Sequence, residues 1–132
     1  MRRPPRWWRI EDLFRILKGY CNVEELRMHS AVRLYRSITL NAVIAWRLLL
    51  MTLLGREVPT GPADLLFTEV QLRILRNLAA EHRLPTPNDL AEAVLLVAVL
   101  GGYQRGNKRA PPGVEVMWRG CRRLEPCACR WP

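Results

Sequence analysis

The chain has 132 residues, enough for one modest core, and carries 21 Lys and Arg against 12 Asp and Glu, a net charge of +9. Such a balance favours polyanionic partners, nucleic acid first and an anionic membrane surface second. It is paired with features that speak against two classes. A zinc site needs about four ligands in recognisable spacings, whereas Cys21, Cys121, the Cys127 and Cys129 pair, His29 and His82 are scattered, a cysteine usage that predicts a reduced cytoplasmic protein; the charged start, without an apolar segment, predicts no secretory leader.

Residues 1–6, with Pro4 and Pro5, predict an extended basic leader. Together with Arg9 it places four arginines before the first acid, either as an arm along a phosphate backbone or as a leader that belongs to no domain. The next region, 7–20, reads as a helix. Ile10, Leu13, Phe14 and Leu17 recur at i, i+3, i+4 and i+7 and predict a face docked on a core. Lys18 suits the negative end of the helix dipole and Gly19 closes the segment.

The other face of that helix holds Glu11, Arg15 and Lys18, four and three residues apart and so in one row. The row has two readings. One is a solvated pair worth roughly 0.3–0.5 kcal/mol. The other is a site for reaction at phosphate, with the carboxylate holding a divalent metal and the two cations holding phosphodiester oxygens.

A long helix is predicted over 23–54, with Leu26, Leu34, Ile38, Ala42, Ala45, Leu49 and Thr52 as its core stripe. Arg27, Arg33 and Arg36 precede its apolar part, which implies an exposed first half and a buried second half. The run 38–54 barely reaches spanning length, and Arg47 inside it would cost roughly 2.5–3.5 kcal/mol at a bilayer centre, so a buried helix is expected rather than a membrane span.

A loop over 55–62 follows. Thr68 and Gln71 then form a Thr-x-x-Gln capping box with Phe67 and Leu72 as the staple, opening a helix over 69–82 whose stripe is Leu72, Leu75, Leu78 and Ala79. Thr86, Pro87 and Asp89 predict a second start, with Thr86 as the cap. That helix should run to Leu100 with Leu90, Val94, Val97 and Ala98 inward, and Gly101 and Gly102 end it. A basic loop over 104–112 carries Arg105, Lys108 and Arg109, either touching DNA or solvated. The last helix, 114–124, presents Val116, Met117 and Gly120 near Trp118, and 125–132 reads as an irregular tail. No stretch alternates with period two, so the fold class is predicted to be all-α.

The sequence Trp8-Arg9-Ile10-Glu11-Asp12-Leu13, with Arg15 and Lys18 beyond the Glu and then Gly19, resembles the last catalytic motif of the DDE transposases of the IS-four group, the Tn-five type. The likeness extends to Glu24 to Arg27, to Ala45 to Leu49, and to the ending, where Leu100-Gly101-Gly102-Tyr103 and Met117-Trp118-Arg119-Gly120 are similar to the dimerisation region of that family. It departs at Pro4 and Trp7, where the family has Tyr and Arg, and at Phe14, where relatives commonly have His. By this resemblance Glu11 is the third metal-binding, catalytic carboxylate, Arg15 and Lys18 are phosphate contacts, and Mg²⁺ is the cofactor of the intact family. Trp118 and Gly120 would pack helices across a two-fold interface; read from the residues alone they serve equally as internal core.

The family's two catalytic Asp residues come from an RNase H-like sheet that precedes the Glu helix, and this chain begins ten residues before Glu11. The aspartates Asp12, Asp64 and Asp89 fall in settings unlike the missing motifs. The resemblance therefore implies a helical C-terminal region of a transposase: 1–6 a leader, 7–20 the catalytic-Glu helix, 21–124 the dimerisation region. It implies no activity and no bound cofactor for the chain alone. The implied partners are transposon-end DNA and either a second copy or a full-length transposase, with no membrane. An alternative is a basic helical DNA-binding or regulatory protein that pairs with the intact enzyme.

Overall fold

The computed structural model describes residues 7–104 and 111–130. The basic leader and the loop cations Arg105, Lys108 and Arg109 lie outside the described residues. Five helices account for most of the described chain: α1 (Trp7–Gly19), α2 (Ala31–Glu57), α3 (Glu69–Glu81), α4 (Leu90–Leu100) and α5 (Val114–Arg130), with 3-10 turns at Val23–Glu25 and Ala63–Leu65. The fold is all-α. No strand occurs among the described residues, in keeping with the absence of period-two patterning. The chain divides into two compact units between Leu50 and Met51, a point inside α2.

In the first unit the amides of Tyr20 and Cys21 both donate to the Ile16 carbonyl, at 3.0 and 3.2 Å, and close α1. Asn22 then takes a left-handed conformation, φ 48°, which Asn tolerates better than most residues. This turn corrects the expected helix over 23–54. Only a 3-10 turn forms at Val23–Glu25, and α2 begins at Ala31, where the Leu34 amide donates to the Ser30 carbonyl at 3.0 Å. Ser30 is a residue type that competes with mid-helix bonding and favours helix starts, a signal the apolar periodicity does not contain. Cys21 is buried, and its thiol donates to the Asn41 carbonyl at 3.7 Å, which ties the turn to α2. Burial also pushes the Cys21 thiol pKa up, so it is a poor nucleophile at neutral pH.

The run 38–54 is less covered than expected. Ala45, Leu48, Leu49, Met51 and Thr52 are buried, but Leu40 is 66 % and Trp46 56 % exposed, and Val32, Tyr35 and Val43 lie in water beside them. Ile38, placed in the core stripe by its spacing, is exposed as well. By length and composition α2 is apolar enough to cross a membrane, a test that core helices of water-soluble proteins also pass.

The second unit is built around α4. All but one of its eleven residues, Leu-Ala-Glu-Ala-Val-Leu-Leu-Val-Ala-Val-Leu, are apolar, so it has no side suited to water and α3 and α5 both pack on it. Leu90, Val94, Val97 and Ala98 are buried as predicted, and Leu72, Leu75 and Ala79 of α3 join them with Phe67, Met117 and Leu124. The Thr68 capping box is complete: the Gln71 amide donates to Thr68 Oγ1 at 3.3 Å and the Thr68 amide to Gln71 Oε1 at 3.1 Å.

The start of α4 differs from the expectation. Asp89, not Thr86, is the cap: its carboxylate accepts from the Glu92 amide at 2.9 Å, while Glu92 reaches back to the Asn88 amide at 2.8 Å. Pro87 therefore stands before the helix rather than at its first position. Asp89→Ala is expected to cost about 1 kcal/mol and Thr86→Ala no more than about 0.5 kcal/mol in urea unfolding followed by circular dichroism. Equal costs would return the cap to Thr86.

At the other end Gly101 caps α4, Gly102 takes φ +94°, and the Tyr103 amide donates back to the Ala98 carbonyl at 2.9 Å. Gly101 and Gly120 sit where α4 and α5 come closest. A Cβ on Gly101 would lie 1.9 Å from the Val116 carbonyl oxygen, and one on Gly120 would lie 2.0 Å from that of Val97. Gly120 thus serves contact within one chain. Finally, α5 does not stop at Leu124: it continues to Arg130, so 125–130 is helical where an irregular tail was expected.

Candidate functional site

The sequence offers α1 two overlapping apolar stripes. Ile10, Leu13, Phe14 and Leu17 have helical spacing, and so do Leu13, Ile16, Leu17 and Tyr20. The second is the one buried. Ile16 is 1 % exposed and Asp12, Leu13, Leu17 and Tyr20 are half-buried, whereas Ile10 is 58 % and Phe14 54 % exposed. At about 100° per residue the buried meridian lies roughly 60–80° from the centre of the predicted stripe. The expectation that the Ile10 and Phe14 side docks on a core is overturned, and the sequence signal for the correct face is Ile16.

This rotation fixes what α1 shows to its surroundings. Ile10, Phe14, Lys18, Glu11 and Arg15 follow one another around the exposed half of the helix, apolar at one edge and charged at the other. The three predicted site residues are therefore on one open face. They are not idle there. Arg15 lies between two carboxylates, with Nη2 3.9 Å from Glu11 Oε1 and Nη1 3.4 Å from Asp12 Oδ1. Lys18 Nζ is 2.8 Å from Glu24 Oε1, a partner supplied by the 3-10 turn that no helical spacing foretells.

The hydrogen bond to Glu24, and then its charge, hold the Lys18 ammonium above the ordinary lysine value of 10.5. For a raised lysine the contribution to stability is fully present below the unfolded pKa and is lost as pH rises through the folded one. At neutral pH the pair is therefore intact and Lys18 charged. These are exposed pairs, which contribute little to stability and are screened by salt.

As a metal centre the site is incomplete. Among the described residues no three His, Cys, Asp or Glu side chains are grouped to hold an ion. Asp12 turns to Arg15, Asp64 lies in the 3-10 turn Ala63–Leu65, and Asp89 is spent on capping α4. A site holding two metal ions needs a carboxylate triad, and of the predicted site residues Glu11 is the one carboxylate on this open face.

A recess of about 190 Å³ in the second unit, lined among others by Thr52, Gly55, Val94, Leu95 and Met117, is largely apolar. Arg56, the charged residue among the described lining residues, donates to the Pro112 carbonyl at 3.3 Å. Among the described residues that line it there is no carboxylate, histidine or cysteine.

No protein-family model matches the chain, and neither a curated protein nor a solved structure matches it.

Proposed function

We propose that the chain is the C-terminal part of a DDE transposase of the Tn-five type, carrying the Glu helix and the dimerisation helices without the RNase H-like sheet. It acts by binding rather than by catalysis. Its partners are transposon-end DNA and a second copy or an intact transposase, and its compartment is the cytoplasm.

The observation that supports this reading is the outer face of α1. A helix that leaves Ile10 and Phe14 in water beside a Glu11, Arg15 and Lys18 row has the composition of a surface made to be covered. In an intact transposase of this type the cover is the catalytic sheet, and the charged row faces the scissile phosphodiester. Glu11 is then one metal carboxylate of three, and Arg15 and Lys18 meet phosphate oxygens. Strand cleavage and transfer need all three carboxylates, of which Glu11 is the one carried by this helix.

The test mixes the purified full chain with an intact transposase of the IS-four group and its transposon-end duplex. Co-elution in size-exclusion chromatography and suppression of strand transfer are the expected result. An intact enzyme whose elution and activity are unmoved by a molar excess of this chain would overturn the pairing. Duplex binding by this chain that is indifferent to Glu11→Ala, Arg15→Gln and Lys18→Gln would leave the basic-binder alternative in place of the transposase row.

A further inference from the structure

The second unit carries a basic surface that owes nothing to the Glu11 row. One side of α5 is buried through Met117, Gly120 and Leu124. The outer side presents Trp118, Arg119, Arg122 and Arg123, which together line an open concavity. Neither Glu115, which pairs with Arg119, nor Glu125 is among the described residues that line it.

Each of the three guanidiniums is held by one anchor. Arg119 pairs with Glu115 one turn back, and Arg123 donates to the Leu100 carbonyl at the end of α4. Arg122 lies over the Trp118 ring, 6.0 Å from its centroid. A guanidinium has five N–H donors, more than one anchor can use, and all three arginines are exposed. Anchoring also removes rotamer freedom before any ligand arrives, which lowers the entropic cost of binding. Planar donors pre-set in this way match phosphate oxygens, which Arg holds in bidentate fashion.

From this arrangement we infer that the Trp118, Arg119, Arg122 and Arg123 face of α5 is a docking surface for the phosphate backbone of duplex nucleic acid. Trp118 is a positioning residue that carries Arg122. The arginines meet phosphate, so the surface holds DNA without reading its sequence. This inference is independent of the transposase reading: it requires neither Glu11 nor a partner protein.

The test measures fluorescence anisotropy of a labelled 30-base-pair duplex with the full chain across a salt series. Three phosphates are no longer neutralised by R119Q/R122Q/R123Q, and the slope of log affinity against log salt should flatten by about 0.9 for each of them. Affinity should fall at least tenfold at low salt, while the thermal transition stays in place because the three side chains are exposed. Trp118→Leu should weaken binding more than Trp118→Phe, since a phenyl ring retains a face for Arg122. Arg76→Gln, which removes an exposed cation of α3 outside this surface, should leave this binding unchanged, and the assay contains no transposase, which separates its failure from failure of the α1 proposal. Unchanged duplex binding by the triple variant would overturn the inference. So would loss of binding to vesicles containing phosphatidylglycerol with no loss of binding to DNA.

Discussion

Gly120→Ala is expected to destabilise the second unit by on the order of 3 kcal/mol, and Gly101→Ala by a similar amount. The close approaches are reciprocal: an added Cβ at Gly120 meets the Val97 carbonyl oxygen of α4 at 2.0 Å, and one at Gly101 meets the Val116 carbonyl oxygen of α5 at 1.9 Å. Both obstacles are backbone, so no rotamer change relieves them. The helices must separate, and separation opens space around Val97, Met117 and Leu124, which are all buried. Gly19→Ala is the control. Nothing lies within 4 Å of an added Cβ there, and the change should stay within about 0.5 kcal/mol. Urea unfolding followed by circular dichroism measures all three variants. A Gly120→Ala protein that unfolds at the wild-type midpoint would show that α4 and α5 do not cross this closely. If it also changed oligomeric state, Gly120 would belong to an interface between two copies and not to the core of one.

What the sequence makes legible depends on how local the cause is. The Thr68 and Gln71 box, the termination at Gly101 and Gly102, and the inward set Leu90, Val94, Val97 and Ala98 are fixed within a turn or two of chain, and each appears where spacing and residue type put it. Asp89 displaces Thr86 because two candidate caps compete, and the choice falls to the one whose carboxylate reaches the Glu92 amide. The continuation of α5 past Leu124 and the break before Ala31 are also local, but each runs against its strongest cue: Pro126 in the first case and an unbroken apolar rhythm in the second.

The candidate site is legible in part. Spacing alone puts Glu11, Arg15 and Lys18 in one row on one open face, and they are found there. It does not reveal Glu24 beside Lys18, because that pairing crosses the turn at Asn22. Nor does periodicity choose between two stripes that share Leu13 and Leu17. The Arg119, Arg122 and Arg123 surface is hidden for a different reason. Within Met117-Trp118-Arg119-Gly120 the tryptophan and glycine point to helix packing, and arginines at such spacing are ordinary on any solvated helix face. Only the anchoring by Glu115, Trp118 and the Leu100 carbonyl sets them apart, and the last of these comes from another helix.

Ile16→Ala is the second large effect, expected at about 2–5 kcal/mol for an aliphatic side chain that is almost wholly removed from water. Phe14→Ala, two positions away, should cost little, because more than half of that residue already meets solvent. Ile10→Ser with Phe14→Ser should likewise keep the urea midpoint and reduce binding of an apolar dye, as expected when an uncovered patch is erased. The order of the two alanine variants decides how α1 is turned. With Ile16 inward, Glu11 stands nearly opposite the buried meridian, at the crest of the helix, with Arg15 and Lys18 to either side. Were Phe14 the costly residue, the helix would be rotated by about 60–80° and the charged row would lie towards its flank. A crest is the placement that lets a carboxylate and two cations approach a phosphate backbone together. The cheaper Phe14 variant is therefore a requirement of the proposed α1 surface as well as of the fold.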